Sequence, residues 1–473
     1  MISFLVSISL LILGYFVYGN MIEKIMGIDE NRTTPAIRQR DNIDYLPLPV
    51  WKSFLIQFLN IAGLGPIFGA IAGAMYGPSA FLWIVFGCIF GGAVHDYFSG
   101  MLSLKHNGLS ISEVVGLYLG SYAKHFMRFF TVILLIFVGS VFLIGPAKII
   151  DGMTNHTFGI TIWVFIILFY YILSTLLPID KLISKLYPIF GGAMLFMALG
   201  IFIMLLTGDY NIPELTPKNL INMKSNANET PIFPMLFITI ACGAISGFHA
   251  TQSPLMARCI KNEADGKKVF FGSMITEGIV ALIWAAAAMV FFKDVNGLNE
   301  AMVENGNSAA WAANEISLNM LGKVGGILAI LGIVAAPITS GDTAFRSARL
   351  ILADTFKYDQ KTLLKRLYIS IPLFIISFGI TKIDFAIIWR YFAWSNQTLS
   401  VIILWTITAF LFMKNKNFWV TLLPAIFMTM VCTTYILVAP EGFGLGEKSY
   451  TTGAILTTLI TISFFLFQKK KKN

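Results

Sequence analysis

Long apolar stretches alternate with short polar ones along the whole chain. A helix needs about 20 mostly apolar residues to cross a bilayer. Thirteen stretches meet or approach that length: 2–19, 54–76, 79–101, 126–149, 159–178, 188–207, 232–253, 270–292, 324–346, 367–381, 385–412, 418–438 and 451–467. Two are interrupted at comparable places. One contains Asn60-Ile61-Ala62-Gly63-Leu64-Gly65-Pro66, the other Ala241-Cys242-Gly243-Ala244-Ile245-Ser246-Gly247-Phe248-His249. An unwound helix at membrane depth leaves N–H and C=O groups that are costly in hydrocarbon unless they meet protein, water, an ion or a solute. Paired interruptions therefore point to a substrate site between them. Close helix packing through Gly65, Gly69, Gly73 and Gly77 is the plainer reading of part of the pattern.

Basic residues collect at alternate intervals: 20–53, 105–128, 181–185, 258–268, 346–366, 414–416 and the tail 469–472 hold most of the 34 lysines and arginines. By the positive-inside rule these intervals are cytoplasmic. The N-terminus is then outside and the C-terminus inside. The intervals 208–231 and 293–323 are expected outside. Within the second, 308–316 is helix-prone, either lying across a vestibule or forming a plain surface helix.

Composition agrees: the 473 residues are 56% hydrophobic and 12% charged, with mean hydropathy +0.75. A soluble domain carries about 25% charged residues. The net charge of +9 sits in loops on one side, so it is no nucleic-acid signature. The apolar start lacks a basic leader and a small-residue cleavage site and reads as a retained span. Cys88, Cys242, Cys259 and Cys432 show no zinc-type spacing and no disulfide framework.

Without the first and the last two spans, ten remain between 54 and 412. They divide into five-span halves of opposite orientation, each opened by a broken span, which is an inverted repeat. The expected fold is an all-α polytopic membrane protein with a leucine-transporter-like 5+5 inverted repeat and about 13 transmembrane helices. Its divisions are an accessory span and loop (1–53), the first repeat (54–207), the second repeat (232–412) and accessory spans with a basic tail (413–473). Residues 60–65 resemble the first broken helix of sodium-coupled members of that fold. Ala336-Pro337-Ile338-Thr339-Ser340 resembles their sodium-ligand motif. The resemblance implies sodium ligands at the carbonyls of Leu59, Ala62 and Ala336 and the hydroxyls of Thr339 and Ser340. Such an all-oxygen set suits a hard cation. The alternative is that both hydroxyls back-bond within their helix.

Longer strings resemble the carbon starvation protein A family. They are residues 60–70, Gly91-Gly92-Ala93-Val94-His95-Asp96-Tyr97, Ser246-Gly247-Phe248-His249-Ala250-Thr251-Gln252-Ser253-Pro254 and Asp44-Tyr45-Leu46-Pro47. The resemblance covers about residues 14 to 400. It implies import of peptides or pyruvate, linked to carbon starvation, and does not choose between them. Substrate is expected between the breaks, at Gly63, Gly65, Ser246, Gly247, Phe248, His249 and Gln252. Half-helix N-termini there favour a carboxylate.

An ionisable side chain at membrane depth costs about 2.5–3.5 kcal/mol on insertion scales. Asp96, Glu277, Asp342 and Arg346 are therefore candidates for coupling or gating. Their plainer readings are a loop arginine beside Asp96, an unseen base beside Glu277, and mutual pairing of Asp342 with Arg346, four residues apart. His249 either binds substrate or a proton, or bonds to a freed carbonyl. Arg390 either attracts a carboxylate or pairs with Asp384 or a neighbouring helix. HExxH, GxSxG and GxxxxGK[ST] strings in suitable context are absent, which argues against an enzyme and against drive by ATP. The expected function is ion-coupled symport with no cofactor, sodium or a proton as coupling ion, and a small carboxylate-bearing solute and the bilayer as partners. An ion channel or a transport-inactive starvation sensor are the alternatives.

Overall fold

Helices account for every regular element among the described residues of the computed structural model. It describes residues 1–472 except 42, 43, 155, 177, 178 and 361, and describes backbone alone at 176, 179–186, 329, 330, 386 and 472. Apart from the single turn Pro35–Arg38, the helices in chain order are α1 (Ile2–Met26), α2 (Val50–Ala62), α3 (Gly65–Ala74), α4 (Ser79–Lys105), α5 (Ile111–Leu119), α6 (Ser121–Met153), α7 (Ile160–Leu176) and α8 (Ile179–Thr207). There follow α9 (residues 232–239), α10 (Gly247–Ala257), α11 (Glu263–Phe291), α12 (Val295–Glu304), α13 (Ala309–Leu328), α14 (Leu331–Phe356), α15 (Leu363–Ile380), α16 (Phe385–Met413), α17 (Trp419–Val438) and α18 (Lys448–Lys472).

Among the described residues, nine helices are long and apolar enough to cross a membrane: α1, α4, α6, most of α8, α11, α15, α16, α17 and α18. Two bent pairs raise this to eleven, α2 with α3 at 54° and α13 with α14 at 64°. The chain is thus an all-helical, multi-pass membrane protein. The other two expected spans fall short for different reasons. Residues 159–178 form α7, which is apolar but short. Residues 232–253 are divided between α9 and α10 by the non-helical stretch 240–246.

Two expected boundaries move. The span 324–346 was expected to end at Arg346, but α14 continues to Phe356, so Arg349 is helical as well and, like Arg346, is buried. The stretch 308–316 is the start of α13, which kinks at Gly322 (φ 59°) before it bends into α14. Ala312, Ala313 and Ile316 are buried, so it is not a plain surface helix. The side chains of Lys181 and Lys185 lie outside the described residues.

Tertiary contacts sort the polar segments into two ends. The Met1 ammonium meets Glu214 at 2.6 Å, and Ile2 and Ser3 donate to the same carboxylate, so the chain start and the interval 208–231 share one end. At the other end of α1, Lys105 Nζ donates to Gly27 O at 2.7 Å and Lys416 Nζ to Met26 O at 2.6 Å. Lys471 Nζ reaches Leu117 O at 3.0 Å. In the interior α6 packs along α14, while α10 packs on α2, α4 and α16. That packing carries the two breaks into the core.

Candidate functional site

The breaks face each other. The first turns at Gly63 (φ 45°), whose β-carbon position is filled by the Phe142 ring, and resumes at Gly65-Pro66 with a wide π-type turn. A β-carbon on Gly65 would lie 2.2 Å from Cys242 Cβ, one on Gly69 3.1 Å from Thr239 O, and one on Gly73 2.3 Å from Ile240. The glycines spaced by four therefore bring α3 against α9 and the second break. The packing reading and the broken-helix reading hold together at this point.

At the second break, backbone groups freed from helix bonding find partners. Trp83 Nε1 donates to Ile240 O at 3.0 Å and Gln397 Nε2 to Phe237 O at 3.2 Å. Asn396 Oδ1 accepts from Phe248 N at 2.7 Å and from Ser246 Oγ at 3.1 Å. Asn396 thus caps α10, where the sequence predicted a bound carboxylate. Gly247 lies directly on α16, since its β-carbon position falls 2.4 Å from Asn396 O. Gln252 bonds Thr251 at 2.8 Å and leaves its Oε1 buried without a partner. The side-chain amides of Gln57 and Asn60, on the first broken helix, also hold buried atoms without hydrogen bonds.

Beside the break lies a buried chain of ionisable groups. Asp96 accepts from His95 Nδ1 at 2.7 Å through Oδ1 and from His249 Nδ1 at 2.8 Å through Oδ2. His249 Nε2 faces Glu277 Oε2 at 3.5 Å. All four side chains are fully buried. His95 and His249 stand where a loop arginine was expected beside Asp96, the two carboxylates stand where a freed carbonyl was expected beside His249, and His249 is the base that faces Glu277. The donor atoms of Cys242, His249 and Glu277 lie within 4.8 Å of one another, the geometry of a metal-capable group. Sequence spacing gave no hint of it, because the three residues come from a break and two helices.

Four of the five oxygens read as sodium ligands, those of Leu59, Ala336, Thr339 and Ser340, are linked by hydrogen bonds. Ser340 Oγ donates to Leu59 O at 3.0 Å and lies 3.2 Å from Ala336 O, which accepts from Thr339 Oγ1 at 2.6 Å. Both hydroxyls back-bond, and Ser340 ties α14 to the end of α2, which closes at Ala62. Farther along α14, Asp342 Oδ2 accepts from Tyr187 Oη at 3.1 Å and lies 3.8 Å from Arg346 Nη2. Arg346 also reaches Ser174 O at 3.4 Å. The expected Asp342–Arg346 pair is present and locks α14 to α7 and α8.

A cavity of about 570 Å³ adjoins both broken helices through Phe68 and Thr239 and is lined by Lys148, Lys224 and Arg390. Lys148 stacks over Phe385 at 4.8 Å and Lys224 over Tyr76 at 5.0 Å. Arg390 pairs with Glu441, Nε to Oε1 at 3.2 Å, from the connection after α17.

The sequence reading missed Trp83, Asn396, Gln397 and the place of Cys242 in the cluster. A signal existed for two of them: Ser395-Asn396-Gln397-Thr398 is a polar run within an apolar span.

The sequence model of the family described as Carbon starvation protein CstA matches residues 1–176 and 147–324. An uncharacterized membrane protein of Haemophilus influenzae is 41% identical over 64% of this chain and 94% of its own length. The peptide transporter CstA of Bacillus subtilis is 28% identical over 68% of this chain and 65% of its own. The pyruvate/proton symporter BtsT of Escherichia coli is 28% identical over 60% and 48%. The match thus spans about half to two thirds of these named transporters. Among solved structures, two mutant forms of the Eremococcus coleocola manganese transporter align over 91% of this chain and 97% of theirs, with TM-scores of 0.52 and 0.51 at 15% and 14% identity. At that identity the likeness is one of fold alone. The chain belongs to the carbon starvation protein CstA family.

Proposed function

We propose that this protein is a secondary active transporter that imports a small carboxylate-bearing solute, a peptide or pyruvate, across the bacterial inner membrane during carbon starvation. The observation that carries the reading is the contact of two broken helices, Gly65 on Cys242, in the buried interior. In this reading the thirteen helical stretches are all spans. Residues 54–207 and 232–412 are inverted repeats, flanked by accessory segments 1–53 and 413–473. The end holding Met1 and Glu214 faces outward and the end holding Lys416 and Lys471 faces the cytoplasm, as the basic residues direct. Solute binds where the two breaks meet, opened by their separation, at Gly63, Gly65, Ser246, Gly247, Phe248, His249 and Gln252, whose Oε1 is buried without a partner. Asp342 and Arg346 gate the cytoplasmic side.

Coupling follows from a cation that binds the two open states with different affinity. Two places fit: sodium among the oxygens of Leu59, Ala62, Ala336, Thr339 and Ser340, or a proton in the Asp96–His249–Glu277 chain. The name of the BtsT relative favours the proton.

The test is uptake of labelled pyruvate and a labelled dipeptide by purified protein in liposomes, with sodium and proton gradients imposed separately. Saturable, gradient-driven accumulation with counterflow is expected. Passive, non-saturable flux points to a channel. No flux of either compound removes both substrates and favours a starvation sensor.

A further inference from the structure

Cys242, His249 and Glu277 bring three metal-type donor atoms together in the buried interior. Asp96, when ionised, has only acceptor oxygens, so the bond at His249 Nδ1 places the ring proton there. The neutral ring then presents the Nε2 lone pair to the Glu277 carboxylate at 3.5 Å. Nε2 and both Glu277 oxygens are buried and make no hydrogen bond. Two electron-rich groups held together out of water call for a cation between them. A proton on Nε2 also meets the charge; the Cys242 sulfur, within 4.8 Å of both groups and bonded to Ser246 Oγ at 3.7 Å, adds a third donor of the kind a metal ion takes.

We infer that Cys242 Sγ, His249 Nε2 and the Glu277 carboxylate form a binding site for a soft divalent cation of the zinc class. Thiolate, imidazole and carboxylate are the donor types such ions take, and three protein ligands leave a fourth position open. Metal–ligand bonds of about 2.0–2.3 Å in a tetrahedron put ligand atoms roughly 3.3–3.6 Å apart. The His249–Glu277 separation of 3.5 Å already fits, and the sulfur closes the remainder by a side-chain shift. The outer partners are also in place. Asp96 holds the His249 ring by Nδ1, the carboxylate–histidine–metal arrangement. Asn396 Nδ2 points at Cys242 Sγ from 3.6 Å, a donor suited to a thiolate. On binding, the thiol proton passes to solvent and sulfur supplies an electron pair to the ion. The bound ion ties the second break to α11. This inference goes beyond the transport reading and does not require it.

The test uses full-length protein, purified in detergent from cells grown with cobalt salts, and reads bound metal by elemental analysis and by absorption. Expected are about one cobalt per chain and a thiolate-to-cobalt charge-transfer band in the near ultraviolet. Cys242→Ser loses the band while Cys88→Ser keeps it, and Glu277→Gln lowers occupancy roughly tenfold or more. Cobalt at trace stoichiometry, metal without a thiolate band, or a band that survives Cys242→Ser overturns the inference. Should Cys242→Ser fail to fold, Glu277→Gln decides: unchanged occupancy and band overturn it.

Discussion

Gly65 and Cys242 meet so closely that a β-carbon on Gly65 would sit 2.2 Å from Cys242 Cβ and 2.4 Å from its sulfur. Cβ of residue 242 belongs to a rigid backbone turn, so the helices must move apart to admit a methyl group. Overpacking of this kind costs about 1–3 kcal/mol. Gly65→Ala is expected to lower the melting temperature in detergent and cut solute uptake at least tenfold, whereas Gly152→Ala, where no atom lies within 4 Å, changes neither. Equal behaviour of the two variants counts against the facing breaks as the functional centre.

Asn396 holds the second break from the side. Its Oδ1 takes both Phe248 N–H and the Ser246 hydroxyl, groups that are otherwise buried without an acceptor. Leaving such a donor unmet costs about 1–3 kcal/mol. Asn396→Ala is expected to destabilise by that amount in thermal melts, and Asn396→Ser, which keeps a neutral acceptor oxygen, to recover part of it. Full stability in Asn396→Ala assigns the cap elsewhere.

How far these features are legible in the sequence depends on how local they are. Gly63 and Pro66 announce the first break because a positive φ and a missing N–H act within their own turn. Asp96, His249 and Glu277 each stand out as ionisable residues at depth, yet their mutual bonding is set by how α4, α10 and α11 pack, and no periodicity encodes that. Arg349 looks like a loop residue because arginine marks span ends. It is helical because α14 starts after a bend at residues 328–331, which carries its far end past the apolar stretch. The capping role of Asn396 lies between these cases: the polar run around it is visible, its partner is not.

Thr339 and Ser340 test the sodium reading directly. The double change Thr339→Ala with Ser340→Ala removes two hydroxyl ligands and the tie from Ser340 Oγ to Leu59 O. If sodium binds there, its half-saturating concentration for uptake rises roughly tenfold or more, since each good ligand is worth a kcal/mol or more. Uptake driven by a pH gradient that persists unchanged in this variant moves the coupling role to the Asp96–His249–Glu277 chain.

Asp342 has two partners, Tyr187 Oη and Arg346. Arg346 is 7% exposed and its Nε lacks a hydrogen bond, so Asp342 is the main counter-charge that the structure gives it. Removing one member of a buried pair costs about 3–5 kcal/mol because the other charge is stranded. Asp342→Ala is expected to show that loss in thermal melts, and Asp342→Asn combined with Arg346→Gln to show much less. If the double variant is as unstable as the single one, the pair does not act as a charge-balanced lock.

Glu113, outside the spans, gives a pH signature. It takes hydrogen bonds from Lys124 and Arg128 and ties α5 to the first turns of α6. Partial burial pushes its carboxyl up, but the bonds and charges of Lys124 and Arg128 outweigh burial and hold it below the usual 4.5. A folded pKa below the unfolded one means that the unfolded chain binds more protons in the interval between them. The contribution is therefore complete above about pH 4.5 and is lost as pH falls through the folded value. The groups are partly exposed, so the contribution is about 1 kcal/mol or less and shrinks with salt. Glu113→Gln is expected to melt about 1–2 °C below the parent at neutral pH. That gap closes as the medium is acidified below the carboxylate range. A gap that widens on acidification has the wrong sign and removes Glu113 as the source.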